Sequence, residues 1–554
     1  MTEGKRILII GGVAGGASCA ARARRLSEEA RIVLFERGPF VSFANCGLPY
    51  YVGDVIAKEA ALLVASPDLF RKRFNIDVRL NSEVISIDRE QNEIEVEDLA
   101  GGNIYREKYD ALVLSPGASP VRPPVPGVEL PGIFTIRNIP DTRQLKEWIT
   151  KSKARRAVVV GGGFIGLELT ENLARLGLKV TIVEIQPQVM PLLDPEMVAP
   201  VHDELKRQGV SLRLEDAVTG FEMLPDGSIC AQMRSGDSEE ADLVVLGVGV
   251  RPETKLARDA GLEIGELGGI RVNDKMMTSD PAIWAVGDAV EVRDFVTGRW
   301  ALMPLAGPAN RQGRIAADVI IGRDRRFRGS QGTFVCGMFG LTIASTGPSE
   351  KTLRMSGLWD NYEKVYLFPA HHASYYPGGK PINLKLIFSK DIGQVVGAQA
   401  VGREGVDKRI DVISMAIQNN ATVFDLEEAE LCYAPQFGSA KDPVNLAGMI
   451  ASNVIRGDAR ITQWEELENS DAFILDVREP SEFAKGHVDN AANIPLNDLR
   501  SRMDELPKDR EIWAYCLVGQ RSYYAVRTLC QNQFDVKSLS GGYKTLLLRK
   551  GFVK

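Results

Sequence analysis

Two cysteines stand in settings that could do sulfur chemistry. Cys46 lies in the stretch Ser42-Phe43-Ala44-Asn45-Cys46-Gly47-Leu48-Pro49. No local disulfide can form there, because Pro49 holds the C-x-x-C position and Tyr51 the C-x4-C position. A redox role for this thiol therefore needs an outside partner: a small-molecule thiol, a peroxide or another part of the protein. Cys516 opens Cys516-Leu517-Val518-Gly519-Gln520-Arg521, directly after the apolar run Ile512–Tyr515 and ahead of a helical pattern. Backbone N–H groups of such a loop point at the sulfur and, with Arg521, lower the thiol pKa and stabilise a persulfide anion. The remaining cysteines (Cys19, Cys230, Cys336, Cys432 and Cys530) are scattered, without C-x-x-C zinc spacing or a disulfide framework, and most of them read as small apolar core residues. No metal site is expected.

The elements that must position these thiols begin at the N-terminus. The strand Lys5 to Ile10 is followed by Gly11-Gly12-Val13-Ala14-Gly15-Gly16, a helix over 17–26, and a second strand, 31–35, that ends on Glu36 with Arg37 next to it. Strand, glycine turn, helix, strand and acid make a dinucleotide unit: the turn brings backbone N–H groups to a pyrophosphate, and the acid accepts the ribose hydroxyls. Val13 replaces the usual second glycine, so this copy is imperfect. A second copy, at 157–184, is cleaner. Gly161-Gly162-Gly163-Phe164-Ile165-Gly166 satisfies G-x-G-x-x-G, the helix runs to about Leu176 with Gly177 as its cap, and the following strand ends on Glu184. A carboxylate there repels a 2′-phosphate, and Ile185-Gln186-Pro187 supplies no arginine, so NADH is expected over NADPH. Two dinucleotide sites in one chain imply electron transfer between two nucleotides.

Three further segments resemble the two-dinucleotide flavoproteins. Ile283-Trp284-Ala285-Val286-Gly287-Asp288-Ala289, followed by a helix-compatible run, resembles their second flavin motif, in which the aspartate holds the ribityl chain of FAD. Leu112 to Gly117, and Val244 to Pro252 with Gly249, resemble their connecting strands. The expected domains are an FAD domain (1–120 and 270–330), an NAD(H) domain (121–269) entered through a proline cluster from Pro116 to Pro126, and a strand-rich interface domain (331–451). A linker (452–460) and a separate C-terminal domain (461–554) complete the chain. That last domain, with Phe473-Ile474-Leu475-Asp476-Val477-Arg478-Glu479-Pro480, Gly486-His487-Val488 and the Cys516 loop, resembles rhodanese domains.

At 554 residues the chain has room for three to five domains. With 44% hydrophobic and 25% charged residues, the composition is that of a globular protein. The net charge of −6 and the lack of a long basic block give no reason to expect nucleic acid. Met1 to Arg6 is too short and charged for a signal peptide, and no apolar run reaches the roughly 18 residues of a membrane span. A cytoplasmic enzyme is expected.

Ser42-Phe43-Ala44-Asn45-Cys46 matches the S-F-x-x-C motif of the coenzyme A disulfide reductases and related NADH-dependent persulfide reductases, within the pyridine nucleotide-disulfide oxidoreductases. The resemblance covers roughly the first 450 residues, and fusions to a rhodanese domain are known in that family. It implies an α/β flavoprotein with FAD and NAD Rossmann-like domains and an α+β dimerisation domain, joined here to an α/β rhodanese domain. It also implies a homodimer in which NADH reduces FAD, and FAD reduces a mixed disulfide between Cys46 and coenzyme A. Tyr375 and Tyr433 match the tyrosines that flank this sulfur from the partner subunit, and phenols suit a donor role toward a thiolate. Tyr376 reads as packing only. Ser18, Arg22, Arg25, Ser42, Asn45 and Lys441 match coenzyme A positions; Arg22 and Arg25 share a helix face by their i, i+3 spacing. Arg24 reads as solvated, Arg71-Lys72-Arg73 as a weaker source of charge, and Asn310-Arg311 stand where the family carries a histidine. Gly11, Val13, Ala14, Gly15, Glu36, Arg37, Asn45, Gly117, Gly287 and Asp288 fall to FAD, and Gly161, Gly163, Gly166, Glu184 and Gly249 to the dinucleotide architecture.

Two other readings compete. An NADH oxidase or peroxidase would cycle the cysteine through sulfenic acid, but those enzymes carry a histidine in the first glycine loop where this chain has Ala14. A sulfurtransferase with an accessory flavoprotein would work from Cys516 without NADH. In the favoured reading Cys516 takes sulfane sulfur from a persulfide or polysulfide and Cys46 releases it reductively as sulfide, with coenzyme A as carrier or substrate.

Overall fold

The structure, a computed structural model, describes residues 4–551. It divides into two compact units: residues up to 186 with 209–332, and residues 187–208 with 333 onward.

The first unit holds two sheets of the same design. In one, the parallel strands run in the order Ile283–Ala285, Ala111–Leu114, Arg6–Ile10, Arg31–Glu36, Asp77–Leu80. In the other the order is Ser211–Leu214, Lys179–Glu184, Arg156–Val160, Leu243–Leu246, Ile133–Phe134. Their central strands are apolar runs because both faces are covered: Ile7, Leu8 and Ile9 are wholly buried, in a core that also takes in Val84, Ile87, Ile94 and Val96 of a three-stranded antiparallel sheet over 82–108. Each central strand leads straight into a glycine turn and a helix, Ala14–Leu26 or Phe164–Arg175. In both helices the last glycine of the turn allows a close approach that no side chain would permit. A Cβ on Gly16 would lie 1.9 Å from the Gly11 carbonyl oxygen, and one on Gly166 2.0 Å from that of Gly161. The run after Asp288, expected to be helical, is instead the strand Val290–Arg293, paired with Trp300–Leu302. Its β-branched Val290 and Val292 are buried, which suits a pleated surface better than a helix. The helix comes later, at Ala306–Ile320.

In the second unit, an antiparallel sheet runs in the order Phe334–Met338, Leu341–Thr346, Val395–Gly402, Ile382–Ser389, Tyr362–Leu367. Every residue of Val395–Gly402 and Ile382–Ser389 is buried. The C-terminal domain is a parallel sheet in the order Ile461–Thr462, Val536–Leu539, Ile512–Tyr515, Phe473–Asp476, Ala492–Asn493. Two boundaries differ from the expectation. Helix Pro443–Ile455 runs through the first part of the expected linker, its Ala451 and Ser452 still buried. Residues 187–208, expected in the nucleotide domain, pack with the second unit, because Asp194 and Glu196 are buried against Lys385.

Candidate functional site

In the first unit the C-terminal ends of the strands open onto a cleft of 540 Å³, lined by Gly11, Val13, Glu36, Gly117 and Asp288 among others. Its floor suits a phosphate chain. Helix Ala14–Leu26 has no side-chain cap, so its first N–H groups are left for a ligand. Glu36 accepts hydrogen bonds from the Gly12 and Gly38 N–H groups, both at 2.9 Å, which fixes its carboxylate at the strand end. Gly117, at φ +74°, has nothing in front of it. Gly15 lines the cleft from the first helical turn, where a Cβ would press on Val286 and Ser115. Arg37 is drawn to Glu253 (3.1 Å). Burial pushes the Asp288 carboxyl up, against the pull of Arg137. The Gly287 N–H donates to Gln312 (2.7 Å), which holds the turn before Asp288 in place.

The second glycine turn repeats the pattern. Helix Phe164–Arg175 also lacks a side-chain cap, and Gly163 and Gly249 both face open space. Gly161, by contrast, is packed against the Gly247 carbonyl. Glu184 is buried and accepts from Gly162 N–H (2.6 Å) and Gln186 N–H (2.9 Å).

Cys46 is exposed, in the single turn Asn45–Gly47 that leads into helix Leu48–Val52. It lines a second cavity, of 820 Å³, which shares Val13, Ala14, Phe43, Asn45 and Asp288 with the first. The thiol thus stands in the second cavity, beside residues that the two cavities share. Burial of the sulfur's inner side pushes the thiol up, and the Glu168 and Asp288 carboxylates add to the effect, against a backbone hydrogen bond. Glu168 sits on the helix of the second glycine turn and takes a hydrogen bond from Tyr50 (3.3 Å).

The chamber's walls are basic: Arg22, Arg25, Arg311 and Arg314 all line it, with Ser18 and Ser42. Arg22 is anchored by Asp318 (2.7 Å) and the Ser18 hydroxyl donates to Asn310. Arg24 corrects the expectation of a solvated side chain. It is buried and donates to the carbonyls of Phe74, Ser27, Glu28, Ala30 and Asn75, closing the ends of two helices. Arg71 donates to the Val78 carbonyl and lies outside the chamber. Residues that sequence reasoning missed are Glu168, Arg137, Gln312 and Arg314. Arg314 carried one signal, its i+3 spacing from Arg311; the others carried none, since each comes from an element remote in sequence.

The second unit gathers the remaining candidates. Tyr375 and Tyr433 are exposed and their hydroxyls are hydrogen-bonded to each other. The Tyr376 ring packs on His372, 5.5 Å between centroids. Lys441 is exposed, directly before the cap of helix Pro443–Ile455. In the C-terminal domain Cys516 is buried at the end of strand Ile512–Tyr515, and the Gly519 N–H donates to its sulfur (3.2 Å). Tyr543 and Lys544 N–H groups hold the Cys516 and Leu517 carbonyls (2.7 and 2.9 Å), which turns those peptide planes away from the loop. Arg521 forms a two-pronged pair with Glu482 (2.7 and 2.8 Å), which sequence reasoning also missed. Cys530 packs at the edge of the domain's core.

Comparison with known proteins gives the site its setting. The family model for pyridine nucleotide-disulphide oxidoreductases matches residues 5–313, that for their dimerisation domain 334–442, and that for rhodanese-like domains 462–547. The chain is 37% identical over 447 residues to a coenzyme A disulfide reductase of Staphylococcus epidermidis, covering 80% of this chain and 99% of that protein. Among solved structures, reduced CoADR-RHD of Bacillus anthracis is 47% identical with a TM-score of 0.96, covering 99% of this chain and 98% of that one. A NAD-dependent persulfide reductase from A. fulgidus is 37% identical with a TM-score of 0.89, covering 98% and 99%. No helix among the described residues is long and apolar enough to cross a membrane. On the strength of these matches, the chain belongs to the pyridine nucleotide-disulphide oxidoreductases and carries a C-terminal rhodanese-like domain.

Proposed function

We propose that the protein is an NADH-dependent flavoprotein that reduces disulfide or sulfane sulfur carried by coenzyme A, with Cys46 as the reacting sulfur. One observation carries this reading: Cys46 stands in an arginine-walled chamber, beside residues that this chamber shares with a dinucleotide cleft. The uncapped helix at Ala14 with Glu36, Gly117 and Asp288 would hold FAD. Gly163, Glu184 and Gly249 would hold NADH. Bound FAD supplies the relay that passes two electrons from NADH to sulfur. The chain's own part is nucleophilic. The Cys46 thiolate attacks the sulfur of coenzyme A disulfide or persulfide, forming a mixed disulfide and releasing coenzyme A thiolate or hydrosulfide. Arg22, Arg25, Arg311 and Arg314 meet the phosphates of the substrate, and Ser18, Ser42 and Asn45 its polar arm. Lys441, Tyr375 and Tyr433 act from the partner subunit of a homodimer, the phenols donating to the leaving thiolate. Free thiols throughout the described residues suit the reducing cytoplasm.

The direct test is mass spectrometry of the Cys46 peptide from protein purified without reductant. A coenzyme A adduct is expected; a sulfenic acid instead would favour an oxidase.

In the C-terminal domain, Cys516 accepts sulfane sulfur and passes it on, with Gly519 N–H and Arg521 stabilising the persulfide anion. Cys516→Ser is therefore expected to leave NADH-dependent reduction of coenzyme A disulfide within about twofold of wild type. Turnover of bulkier sulfane donors should fall about tenfold, a loss of about 1.4 kcal/mol of barrier lowering. Steady-state rates on both substrates check this, and equal rates on every donor would remove the domain from the main path.

Gly163→Ala tests the nucleotide assignment. The new methyl group meets no protein atom within 4 Å, so the fold should tolerate it. It would instead occupy the approach to the pyrophosphate and disturb a charge-assisted hydrogen bond worth about 1.5–3 kcal/mol. NADH should bind about tenfold or more weakly, by fluorescence titration, with flavin content unchanged.

A further inference from the structure

The Cys516 loop carries a single formal charge, and an acid from another element takes it up. From Ile512 to Val526 the only charged residue is Arg521. Its two terminal nitrogens donate to the two oxygens of Glu482, at 2.7 and 2.8 Å, so one carboxylate closes the end of the guanidinium fork. Glu482 is itself fixed. It stands at the third position of helix Pro480–Phe483 and accepts the Glu479 N–H (3.2 Å) in the capping box of that helix. With 31% and 30% of their side chains exposed, the two meet an arriving donor as a pair and not as a bare cation. Glu482 foremost, and the Cys516 sulfur after it, raise the Arg521 guanidinium against its burial.

Two other cations close to the loop are engaged elsewhere. Arg478 is held by Asp476 (2.6 Å), and the Lys544 ammonium lies over the Phe368 ring, 4.3 Å from its centre. What remains at the sulfur is dipolar: the Gly519 N–H on Sγ (3.2 Å) and the uncapped start of helix Gln520–Gln531. The side chains that the loop and the first helical turns expose are uncharged. They are Leu517, Gln520 and Tyr524, the last two hydrogen-bonded to each other (3.0 Å).

Charge then decides between donors. Transfer begins when the Cys516 thiolate attacks the outer sulfur of the donor; the donor's S–S bond breaks and its electron pair leaves on the carrier. From an organic persulfide, RSSH, the moved sulfur keeps its proton and RS⁻ departs, so one negative charge is present throughout. From thiosulfate the thiolate meets a dianion and sulfite departs as a dianion, so three negative charges share the loop. A bare arginine would offset one of them, and Glu482 takes that offset away.

We infer that Glu482 makes Cys516 selective for organic persulfides over thiosulfate, by neutralising the one charged side chain of the loop. This rests on the role proposed above for Cys516 as the acceptor of sulfane sulfur.

The full-length holoenzyme, oxidised and without NADH, tests the inference. Loading of Cys516 is followed by rapid quenching and mass spectrometry of its peptide, as the gain of one sulfur atom. The two donors are thiosulfate and the persulfide of N-acetylcysteamine, whose carrier is uncharged. In Glu482→Gln the ratio of thiosulfate to persulfide loading should rise about tenfold over wild type. An unchanged ratio overturns the inference. Glu482→Asp keeps the charge on a shorter arm and should keep the wild-type ratio; a rise equal to that in Glu482→Gln would mean that the acid acts by shape, and overturns it too. Wild type gives a reading that needs no variant to fold. Repulsion between like charges weakens in salt, so thiosulfate loading should speed up as ionic strength rises from about 0.01 to 0.1 M, where the screening length falls from about 30 to about 10 Å. Persulfide loading should not follow. A thiosulfate rate that is flat or falls with salt overturns the inference. If neither donor loads Cys516 in any of these proteins, it is the acceptor role of Cys516 that fails. If both load it, and neither salt nor variant shifts the ratio, that role stands and Glu482 has no part in the choice.

Discussion

Cys46→Ser is expected to abolish NADH-dependent reduction of coenzyme A disulfide and persulfide, with a loss on the order of 10⁴-fold or more, because a hydroxyl cannot form the disulfide bond on which turnover depends. The variant should still bind FAD, since the residues lining the 540 Å³ cleft do not include Cys46. It should also still accept electrons from NADH once, giving a bleached flavin that no disulfide reoxidises. Rapid-mixing spectroscopy at the flavin band checks both halves in one experiment, and wild-type reoxidation in the variant would sink the mechanism. The site's charges add a second readout. Glu168 and Asp288 both oppose ionisation of Cys46. The thiolate is the nucleophile, so the rate should climb with pH as the thiol ionises. Glu168→Gln removes one of the two negative neighbours and should shift that climb to lower pH. A shift in the opposite direction would mean that the carboxylate acts on the thiol in some other way.

What the chain spells out locally is legible in its sequence. The turn at Gly161, Gly163 and Gly166 is read from spacing alone, because strand, turn and helix follow one another in the chain; of the three glycines only Gly166 meets an atom of the turn itself, the Gly161 carbonyl. The Cys516 loop is legible for the same reason: strand, loop and helix are contiguous, although the helix already begins at Gln520 and takes in Arg521. Arg22 and Arg25 share a face by helical periodicity. Arg24 defeats that reasoning, because its burial depends on Phe74 and Asn75, which are brought beside the first helix by a later one. Arg311 and Arg314 reach the chamber because helix Ala306–Ile320 crosses Ala14–Leu26 closely. At the crossing, a Cβ on Gly313 would lie 2.1 Å from the Gly15 carbonyl oxygen. Nothing local in either helix announces that contact. Residues 187–208 are the largest departure. Their sequence follows a nucleotide-domain strand without a break, yet their acids find partners nearly two hundred positions downstream.

Those acids give the second large effect. Lys385 is wholly buried in the second unit, and its ammonium group lies 2.8 Å from Asp194, 2.7 Å from Glu196 and 2.7 Å from Glu350. The carboxylates converge as the ligands of a cation would, and the lysine supplies that cation. Tyr366 donates to Glu196 (2.6 Å) and Gln399 to Asp194 (2.7 Å), while the buried Lys364 joins Glu350 to Glu465 of the rhodanese-like domain. Removing one member leaves the others charged and dry, which costs about 3–5 kcal/mol. Lys385→Met is therefore expected to destabilise the second unit by that amount, seen as a lower urea midpoint for its transition. The pH dependence carries the sign. Although burial alone would raise them, the lysines hold Glu196 down at about 2 and Glu350 well below the usual carboxylate range. A depressed carboxylate contributes stability above its unfolded value, about 4.5, and loses it as the pH falls through the folded one. The acids raise Lys385 against its desolvation, so its share is complete below about pH 10.5 and fades only as the pH rises through the folded value. Wild type should thus keep a plateau from about pH 5 to pH 10 and weaken in acid. In Lys385→Met the slope should reverse: the carboxylates, deprived of their cation, are relieved by protonation, and the variant should gain stability as the pH drops from 7 toward 5. Denaturation midpoints across that range decide the matter, and parallel slopes in the two proteins would show that the network does not carry the unit's acid stability.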